Sequence, residues 1–167
     1  MALGVRLVIL GFWLGVMALF SFVVAPAAFT VLPTPQLAGA IVSRVLAGVE
    51  TIGVVAGLAL IAISILRPLR RNKVRFFELG LLVLMTAAMA ISRFFVSARL
   101  HGLRTEFGER LALLSVDDPV RRTFDLLHQV SVGLTGFTLF GAIVLAAVLI
   151  WSRPETGWNT LEARNNA

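Results

Sequence analysis

Residues 7–32, LVILGFWLGVMALFSFVVAPAAFTVL, contain no charged side chain. About 20 mostly apolar residues in an α-helix cross the hydrocarbon core of a bilayer. The stretch is therefore long enough to span a membrane, and it exceeds the roughly 7–15 apolar residues of a secretory signal core. The sequence predicts a first membrane-spanning helix that begins after Arg6 and ends before a turn at Pro33 and Pro35.

The composition of the whole chain agrees with a membrane protein. Apolar residues make up 58% and charged residues 14% of the 167 residues, against roughly 45–50% and 25% in soluble domains. The net charge of +6 does not indicate nucleic-acid binding, because the basic residues cluster beside hydrophobic runs, where they act as topology signals. The absence of cysteine excludes disulfides, thiolate metal sites and cysteine catalysis.

Three more hydrophobic segments follow the first. The second covers residues 36–66, the third begins near Phe76, and the fourth runs from Pro119 to about Trp151. Asp118 is a suitable N-cap for the fourth, with Pro119 at its first helical position. The sequence predicts an all-α, integral membrane four-helix bundle with up-down-up-down topology over residues 1–152, followed by a short polar cytoplasmic tail over 153–167.

The connection between the third and fourth spans carries a helical pattern. Apolar residues recur there at steps of three and four: Leu100, Leu103, Phe107, Leu111 and Leu114. This spacing predicts that the third helix extends beyond the bilayer on the outer side or bends onto its surface, with Gly102 and Gly108 as bend points. An irregular loop is the alternative interpretation.

The basic residues predict the orientation. The connection between spans two and three holds Arg67, Arg70, Arg71, Lys73 and Arg75. The positive-inside rule places this loop in the cytoplasm. Both termini are then cytoplasmic, in an inner-membrane protein. The arginines of the outer connection are the observation that agrees least with this prediction.

Two G-x-x-x-G steps indicate close helix packing. Gly11 and Gly15 form one in the first span, and Gly53 and Gly57 form another in the second. Small residues let membrane helices approach closely. We expect packing inside the bundle, with a homodimer face or no role as the alternatives.

Polar residues inside the spans predict a site. Charges within membrane helices usually face the bundle interior or water. Polar residues share one helical face on each of three spans: Ser43 and Glu50 on span two; Arg93, Ser97, His101 and Arg104 on span three; His128, Ser131, Thr135 and Thr138 on span four. These stripes converge in the outer half of the bundle, and the predicted site consists of Arg44, Glu50, Arg93, Asp125 and His128. Glu50 must find a partner or take up a proton, and Arg93, otherwise Arg44, is the expected partner. The alternative is that both arginines extend to the lipid head groups.

No catalytic motif accompanies this site. The chain lacks H-E-x-x-H, a P-loop, G-x-S-x-G and a dinucleotide fingerprint, so we assign no catalytic residue. His101 and His128 are candidate haem or metal ligands without a ligand motif around them, and no cofactor is assigned.

The sequence resembles the transmembrane protein 205-like family, whose bacterial members carry a membrane domain of unknown function. The resemblance lies in Gly11-Phe12-Trp13, Phe20, Leu32-Pro33, Ser43-Arg44, Arg121-Arg122-Thr123-Phe124, His128 and Ser131. It implies a four-helix membrane protein in which Arg44, Arg93 and His128 are family polar positions. The overall pattern also resembles, more distantly, four-helix copper-resistance and haem-linked oxidase proteins, which would need His101 or His128 as ligands.

Three functional hypotheses follow from the sequence. The first is a non-enzymatic membrane protein whose outward-facing polar site handles a small solute or ion, with transport as one form of handling. The second is a haem- or metal-binding redox protein. The third is a structural or accessory subunit of a membrane complex, or a homo-oligomer, in which the polar residues lock the bundle.

Overall fold

The computed structural model describes residues 2–66, 73–108 and 110–151, and the regular structure in these ranges is entirely helical. The α-helices are α1 (Ala2–Leu19), α2 (Ala25–Val31), α3 (Pro35–Ile65), α4 (Lys73–Ile91), α5 (Ser97–Phe107), α6 (Arg110–Leu113) and α7 (Pro119–Trp151). The predicted all-α class is confirmed. Most of the basic loop, residues 67–72, and the polar tail, residues 153–167, lie outside the described ranges.

Four helical segments in the described part of the chain are long and apolar enough to cross a membrane. They are Leu3–Val31, Pro35–Ile65, Lys73–Phe107 and Pro119–Trp151. Large apolar side chains such as Phe22, Phe94 and Phe140 are exposed on the outer surfaces of these helices. Contact of such side chains with water is unfavourable, whereas contact with lipid is not. The chain is therefore a multi-pass membrane protein in contact with the bilayer.

Capping side chains mark where two of these helices begin. The Asp118 carboxylate accepts a hydrogen bond from the Val120 amide at 2.8 Å, which confirms the predicted cap ahead of Pro119. The Thr34 hydroxyl accepts one from the Leu37 amide at 3.3 Å at the start of α3. Each cap stands directly before a proline at the first helical position, where the missing amide costs no helical hydrogen bond.

A π-helical turn in the first span lies directly before the proline of that span. Phe20–Val24 is a π-helix that joins α1 to α2, and Pro26 follows at the start of α2. Proline lacks an amide hydrogen, and its ring clashes with the carbonyl four residues earlier. The wider π turn directly before Pro26 relieves that crowding. The first span therefore continues to Val31 without a break.

The bundle core is built mainly from large side chains of α1 and α4. Fully or almost fully buried residues are Leu10, Trp13, Met17, Leu60, Leu82, Met85, Met89 and Leu145. The polar stripe predicted on the fourth span also faces inward, because Ser131, Thr135 and Thr138 are buried. Thr135 and Thr138 each donate to a carbonyl one turn earlier in α7, so these two hydroxyls are satisfied within their own helix.

The two G-x-x-x-G steps have different environments. A Cβ atom on Gly53 would lie 2.8 Å from Trp13 Nε1, and one on Gly57 would overlap Thr86. These two glycines therefore allow α3 to approach α1 and α4 closely. Gly11 and Gly15 are exposed, and a Cβ added to either would meet no atom within 4 Å. The expectation that they pack inside the bundle is therefore wrong, because they lie on the outer face of α1.

Alanine substitutions should show that the two G-x-x-x-G steps contribute differently to the stability of the protein. We expect Gly57→Ala to lower the free energy of unfolding in detergent by about 1–3 kcal/mol, the usual cost of overpacking a filled core. Gly11→Ala should have little effect, because its Cβ enters open space. Thermal unfolding of the two variants measures the difference, and equal midpoints would contradict the close contact between α3 and α4.

The region of the predicted apolar stripe, residues 100–114, is helical for much of its length. α5 extends to Phe107, and Leu100 and Leu103 on it are buried. The helix ends at Gly108, whose φ of 53° is readily adopted only by glycine. Gly108 is thus a bend point, as predicted, and the short α6 follows it. Gly102 is not a bend point, because it lies within the regular helix α5. The irregular-loop alternative is wrong for the part of the segment that ends at Phe107.

Candidate functional site

Glu50 is the most deeply buried charged residue of the predicted site. Its side chain, on α3, is 0% exposed. The carboxylate accepts a hydrogen bond from the Ser92 hydroxyl at 2.5 Å, and the Ser97 hydroxyl lies 3.0 and 2.9 Å from its two oxygens. Glu50 faces the bundle interior, as expected, and it joins α3 to the junction between α4 and α5.

A second π-helical turn brings the two serines together. Ser92–Val96 is π-helical, and the Ser97 amide bonds the Ser92 carbonyl five residues earlier. Residues five apart in an α-helix are about 140° apart around its axis. The i to i+5 bonding of a π turn places such residues on nearly the same face. Both hydroxyls can therefore reach Glu50 only because the helix widens at this point.

Arginine does not pair with Glu50, contrary to the prediction. Among the described residues, no arginine nitrogen lies within 4.0 Å of this carboxylate. Arg93 Nε instead donates to Thr51 Oγ1 at 3.2 Å, and its guanidinium lies 5.9 Å from the centroid of the Phe94 ring. The direct hydrogen bonds to Glu50 therefore come from the Ser92 and Ser97 hydroxyls, whereas the half-buried Arg93 binds the neighbouring Thr51.

The other predicted residues do not gather around Glu50. Arg44 is exposed on α3, and Asp125 is exposed on α7, where it forms a 4.0 Å ion pair with Arg121. His101 is exposed on α5. His128 is exposed as well, but it lines a small cavity described below. The five residues therefore do not form one cluster, and His128 alone of the remaining four lines that cavity.

Arg104 ties α5 to α3 and was not among the predicted site residues. Its Nη1 donates to the Gly39 carbonyl and to the Ser43 hydroxyl, both on α3. Its guanidinium also lies 5.2 Å from the centroid of the Phe124 ring on α7, within the range of a cation–π contact. The arginine is half-buried. One side chain thus holds three helices together at the end of α5.

A cavity of about 40 Å³ lies between α2, α3, α5 and α7. Its polar lining residues are Ser43, Ser97, Arg104, His128 and Ser131, and its apolar walls include Phe29, Val42, Leu46 and Leu100. Ser97 belongs to both the cavity and the Glu50 cluster. Because His128 is exposed, the cavity reaches the molecular surface beside it. We call this space the α5 cavity.

Ser131 gives the α5 cavity an unsatisfied polar group. Its side chain is 1% exposed, and its hydroxyl oxygen has no hydrogen-bond partner among the described residues. A buried polar group left without a partner costs roughly 1–3 kcal/mol. Since buried polar groups are nearly always paired with protein, water or a ligand, a polar occupant of the cavity would satisfy this hydroxyl.

A second buried cluster lies at the opposite end of α3. Arg6 on α1 forms an ion pair with Glu78 on α4, and the two residues are 1% and 8% exposed. The Ser64 hydroxyl donates to the same carboxylate at 3.0 Å, and Arg75 donates to the Ser64 carbonyl at 2.8 Å. Ser64 lies roughly 20 Å from Glu50 along α3, so the two clusters are separate. Sequence reasoning missed this pair, although Glu78 also stands within an apolar run.

The structure offers limited support for a metal centre. In residues 2–66, 73–108 and 110–151, no group of three His, Cys, Asp or Glu side chains is placed to hold a metal ion. His101 is exposed, and of the two predicted ligands only His128 lines the α5 cavity.

These features define a multi-pass membrane protein with two buried carboxylates and a small polar cavity. Residues 8–108 match the family model described as "Domain of unknown function (DUF4149)", and the chain belongs to this family. It is also 32% identical over 148 residues to an uncharacterized protein of Aquifex aeolicus (strain VF5), a match that covers 88% of this chain and 96% of the relative. No solved structure matches the chain.

Proposed function

We propose that this chain is a non-enzymatic inner-membrane protein whose α5 cavity binds a small solute or ion from the outer side of the membrane. The observation that carries the proposal is the buried Ser131 hydroxyl, which has no hydrogen-bond partner among the described residues and lines the cavity with the half-buried Arg104. Glu50 is no longer central to it, because serines satisfy the carboxylate and protein seals it from the surface. This revises the predicted site from five residues to those that line the cavity.

The proposed topology is up-down-up-down with both termini in the cytoplasm. Contacts of Arg6 with Glu78, and of Glu78 with Ser64, support a common end for the start of α1, the end of α3 and the start of α4. Lys73–Phe107 contains 35 residues, which correspond to about 52 Å of helix. A hydrocarbon core is about 30 Å thick, so we propose that α5 extends beyond it and bounds the cavity on the outer side.

Ligand-dependent stability of the purified full-length protein tests this function. A ligand that binds the folded state at 100 times its dissociation constant stabilises it by about 2.7 kcal/mol. That corresponds to a rise in the unfolding midpoint of roughly 5–10 °C for a chain of this size. We expect such a rise with one class in a panel of small cations, anions and neutral solutes.

Matched variants assign the effect to the cavity. Ser131→Val fills part of the cavity and should abolish the stabilisation. Thr135→Val changes a buried hydroxyl one turn further along the same face of α7, outside the cavity lining, and should preserve it. A panel without any stabilising solute, or equal responses in the two variants, would count against a binding site here.

A structural role within a membrane complex is the second candidate. The observations that favour it are the two enclosed clusters, Glu50 with its serines and Arg6 with Glu78, both of which join helices inside the bundle. Copurification in mild detergent at native expression levels tests it. A stable stoichiometric partner would support the structural role, whereas a chain that runs alone would contradict it.

Membership in the wider transmembrane protein 205-like family is part of the proposal. Three of the residues that carry the resemblance, Trp13, Phe20 and Ser131, are buried, and His128 lines the α5 cavity. The resemblance suggests no ligand of its own.

A further inference from the structure

We propose that the α5 cavity binds a small inorganic anion of halide size, held by the Arg104 guanidinium and the Ser131 hydroxyl. This inference rests on the proposed function and narrows its ligand from any small solute or ion to one class. It follows from the size of the cavity, the charge of its lining and the hydrogen-bond donors that remain unused there.

The size of the cavity excludes most organic ligands. Its volume is about 40 Å³, whereas pockets for drug-sized molecules measure roughly 300–1,000 Å³. One water molecule needs at least about 10–15 Å³ by a comparable measure. The α5 cavity therefore has room for a few water molecules, or for a monatomic ion together with water.

The charge of the lining selects an anion over a cation. Arg104 brings a permanent positive charge to the wall, and none of the lining residues is a carboxylate. Glu50 stands behind Ser97, and its oxygens accept hydrogen bonds from Ser92 and Ser97. A cation in the cavity would face the guanidinium without a carboxylate ligand, so it would be repelled.

Hydrogen-bond donors of Arg104 and Ser131 that have no acceptor among the described residues also favour an anion. Both protein contacts of the Arg104 guanidinium on α3, with Gly39 and Ser43, are made by Nη1. A guanidinium has five N–H donors, and the described residues supply no acceptor for those on Nε and Nη2. The Ser131 hydroxyl adds another donor without a protein acceptor. Arg104 and Ser131 therefore place donors that have no acceptor among the described residues in the cavity lining, and an anion would supply the acceptor.

The lack of a side chain at Gly39 positions the Arg104 guanidinium at the cavity wall. A Cβ atom on Gly39 would lie 3.0 Å from Arg104 Nη2 and 3.4 Å from Cζ. The absence of a side chain lets the guanidinium lie against the α3 backbone and reach the Gly39 carbonyl. This contact fixes the position of the positive charge at the cavity wall before any ligand binds, so little ordering accompanies binding.

The test is a chloride titration of the purified full-length protein at constant ionic strength, with gluconate as the replacing anion. We expect the unfolding midpoint, followed by tryptophan fluorescence, to rise with the logarithm of chloride concentration. Exchange of sodium for choline should not change the rise. Bromide should act in the same manner as chloride, and gluconate is too large to enter.

Three variants assign the chloride effect. Arg104→Gln should weaken apparent chloride affinity at least tenfold. Ser131→Ala should weaken it several-fold while it folds normally, because it removes a hydroxyl that has no protein partner. Arg44→Gln, an exposed arginine outside the cavity, should keep the wild-type response and controls for general surface charge.

The outcomes separate this inference from the proposed function. Stabilisation by a cation or a neutral solute, lost in Ser131→Val, would overturn the anion but preserve the binding site. A midpoint independent of every solute would overturn both and leave water as the occupant. A chloride response that persists unchanged in Arg104→Gln and Ser131→Ala would place chloride elsewhere and also overturn the inference.

Discussion

Replacement of Arg6 by methionine should destabilise the folded protein by about 3–5 kcal/mol, the usual result of removing one partner from a buried ion pair. Arg6 is 1% exposed, and its partner Glu78 would be left as an uncompensated buried charge, with the Ser64 hydroxyl as its remaining hydrogen-bond partner among the described residues. The measurement is the unfolding midpoint in detergent, or the loss of folded protein in a membrane extract if the variant is too unstable to purify.

The double variant Arg6→Met with Glu78→Leu is the decisive control. Removing both charges takes away the desolvation cost together with the attraction, so such a pair can often be replaced by apolar residues at little net cost. We expect the double variant to be more stable than either single variant. Additive losses would contradict the interpretation that the two side chains act as a pair.

Glu50→Leu should be nearly as damaging, with an expected loss of about 2–5 kcal/mol. The leucine leaves the Ser92 and Ser97 hydroxyls without their acceptor, and each unsatisfied buried hydroxyl costs roughly 1–3 kcal/mol. Adding Ser92→Ala to Glu50→Leu should restore part of the stability, because it removes one of the stranded donors. Unfolding in detergent gives these values.

Arg93→Gln is the control for this cluster. Arg93 contacts Thr51 and the Phe94 ring rather than Glu50, so its loss should cost less than about 1 kcal/mol, as is usual for partly exposed contacts. A double-mutant cycle between Glu50 and Ser92 should give a large coupling energy, and the cycle between Glu50 and Arg93 a small one. A larger coupling energy between Glu50 and Arg93 than between Glu50 and Ser92 would favour the ion pair that the sequence predicts.

The sequence was sufficient to predict the fold class because length and hydropathy determine it. Bilayer thickness sets how many apolar residues a span needs, and the segments near residues 7–32, 36–66 and 119–151 meet that requirement with clear ends. Asp118 and Pro119 also identified the start of α7 within one residue. Local chemistry of this kind depends only on neighbouring residues, so it is readable without a structure.

The site was harder to predict because it depends on helix rotation. The expected face of the third span was built with α-helical spacing, which grouped Arg93 with Ser97. The π turn at Ser92–Val96 breaks that spacing and groups Ser92 with Ser97 instead. No residue type in the stretch signals a π turn, so the partner of Glu50 was not readable from the sequence.

Tertiary contacts explain the two remaining omissions. Arg104 appeared in the sequence as the last member of a polar stripe, but its bonds to Gly39 and Ser43 depend on how α5 approaches α3. Arg6 was interpreted only as a topology signal, because nothing in its neighbourhood shows that Glu78 lies beside it. The pairing of residues so distant in sequence is a property of the bundle rather than of either helix.

The π turn at Ser92–Val96 also changes which face of the third span points into the bundle, so the halves before and after it bury different faces. A π turn contains one residue more than the α-helical turn it replaces, equivalent to an insertion that rotates everything after it by about 100°. The half before the π turn packs Leu82, Met85 and Met89 into the core. The half after it buries Leu100 and Leu103 and directs Arg104 towards α3 and α7. Because of this extra residue, the α5 face that lines the cavity is rotated relative to the α4 face that packs in the core. The cavity-lining face can therefore be oriented without any change to the packing of the core.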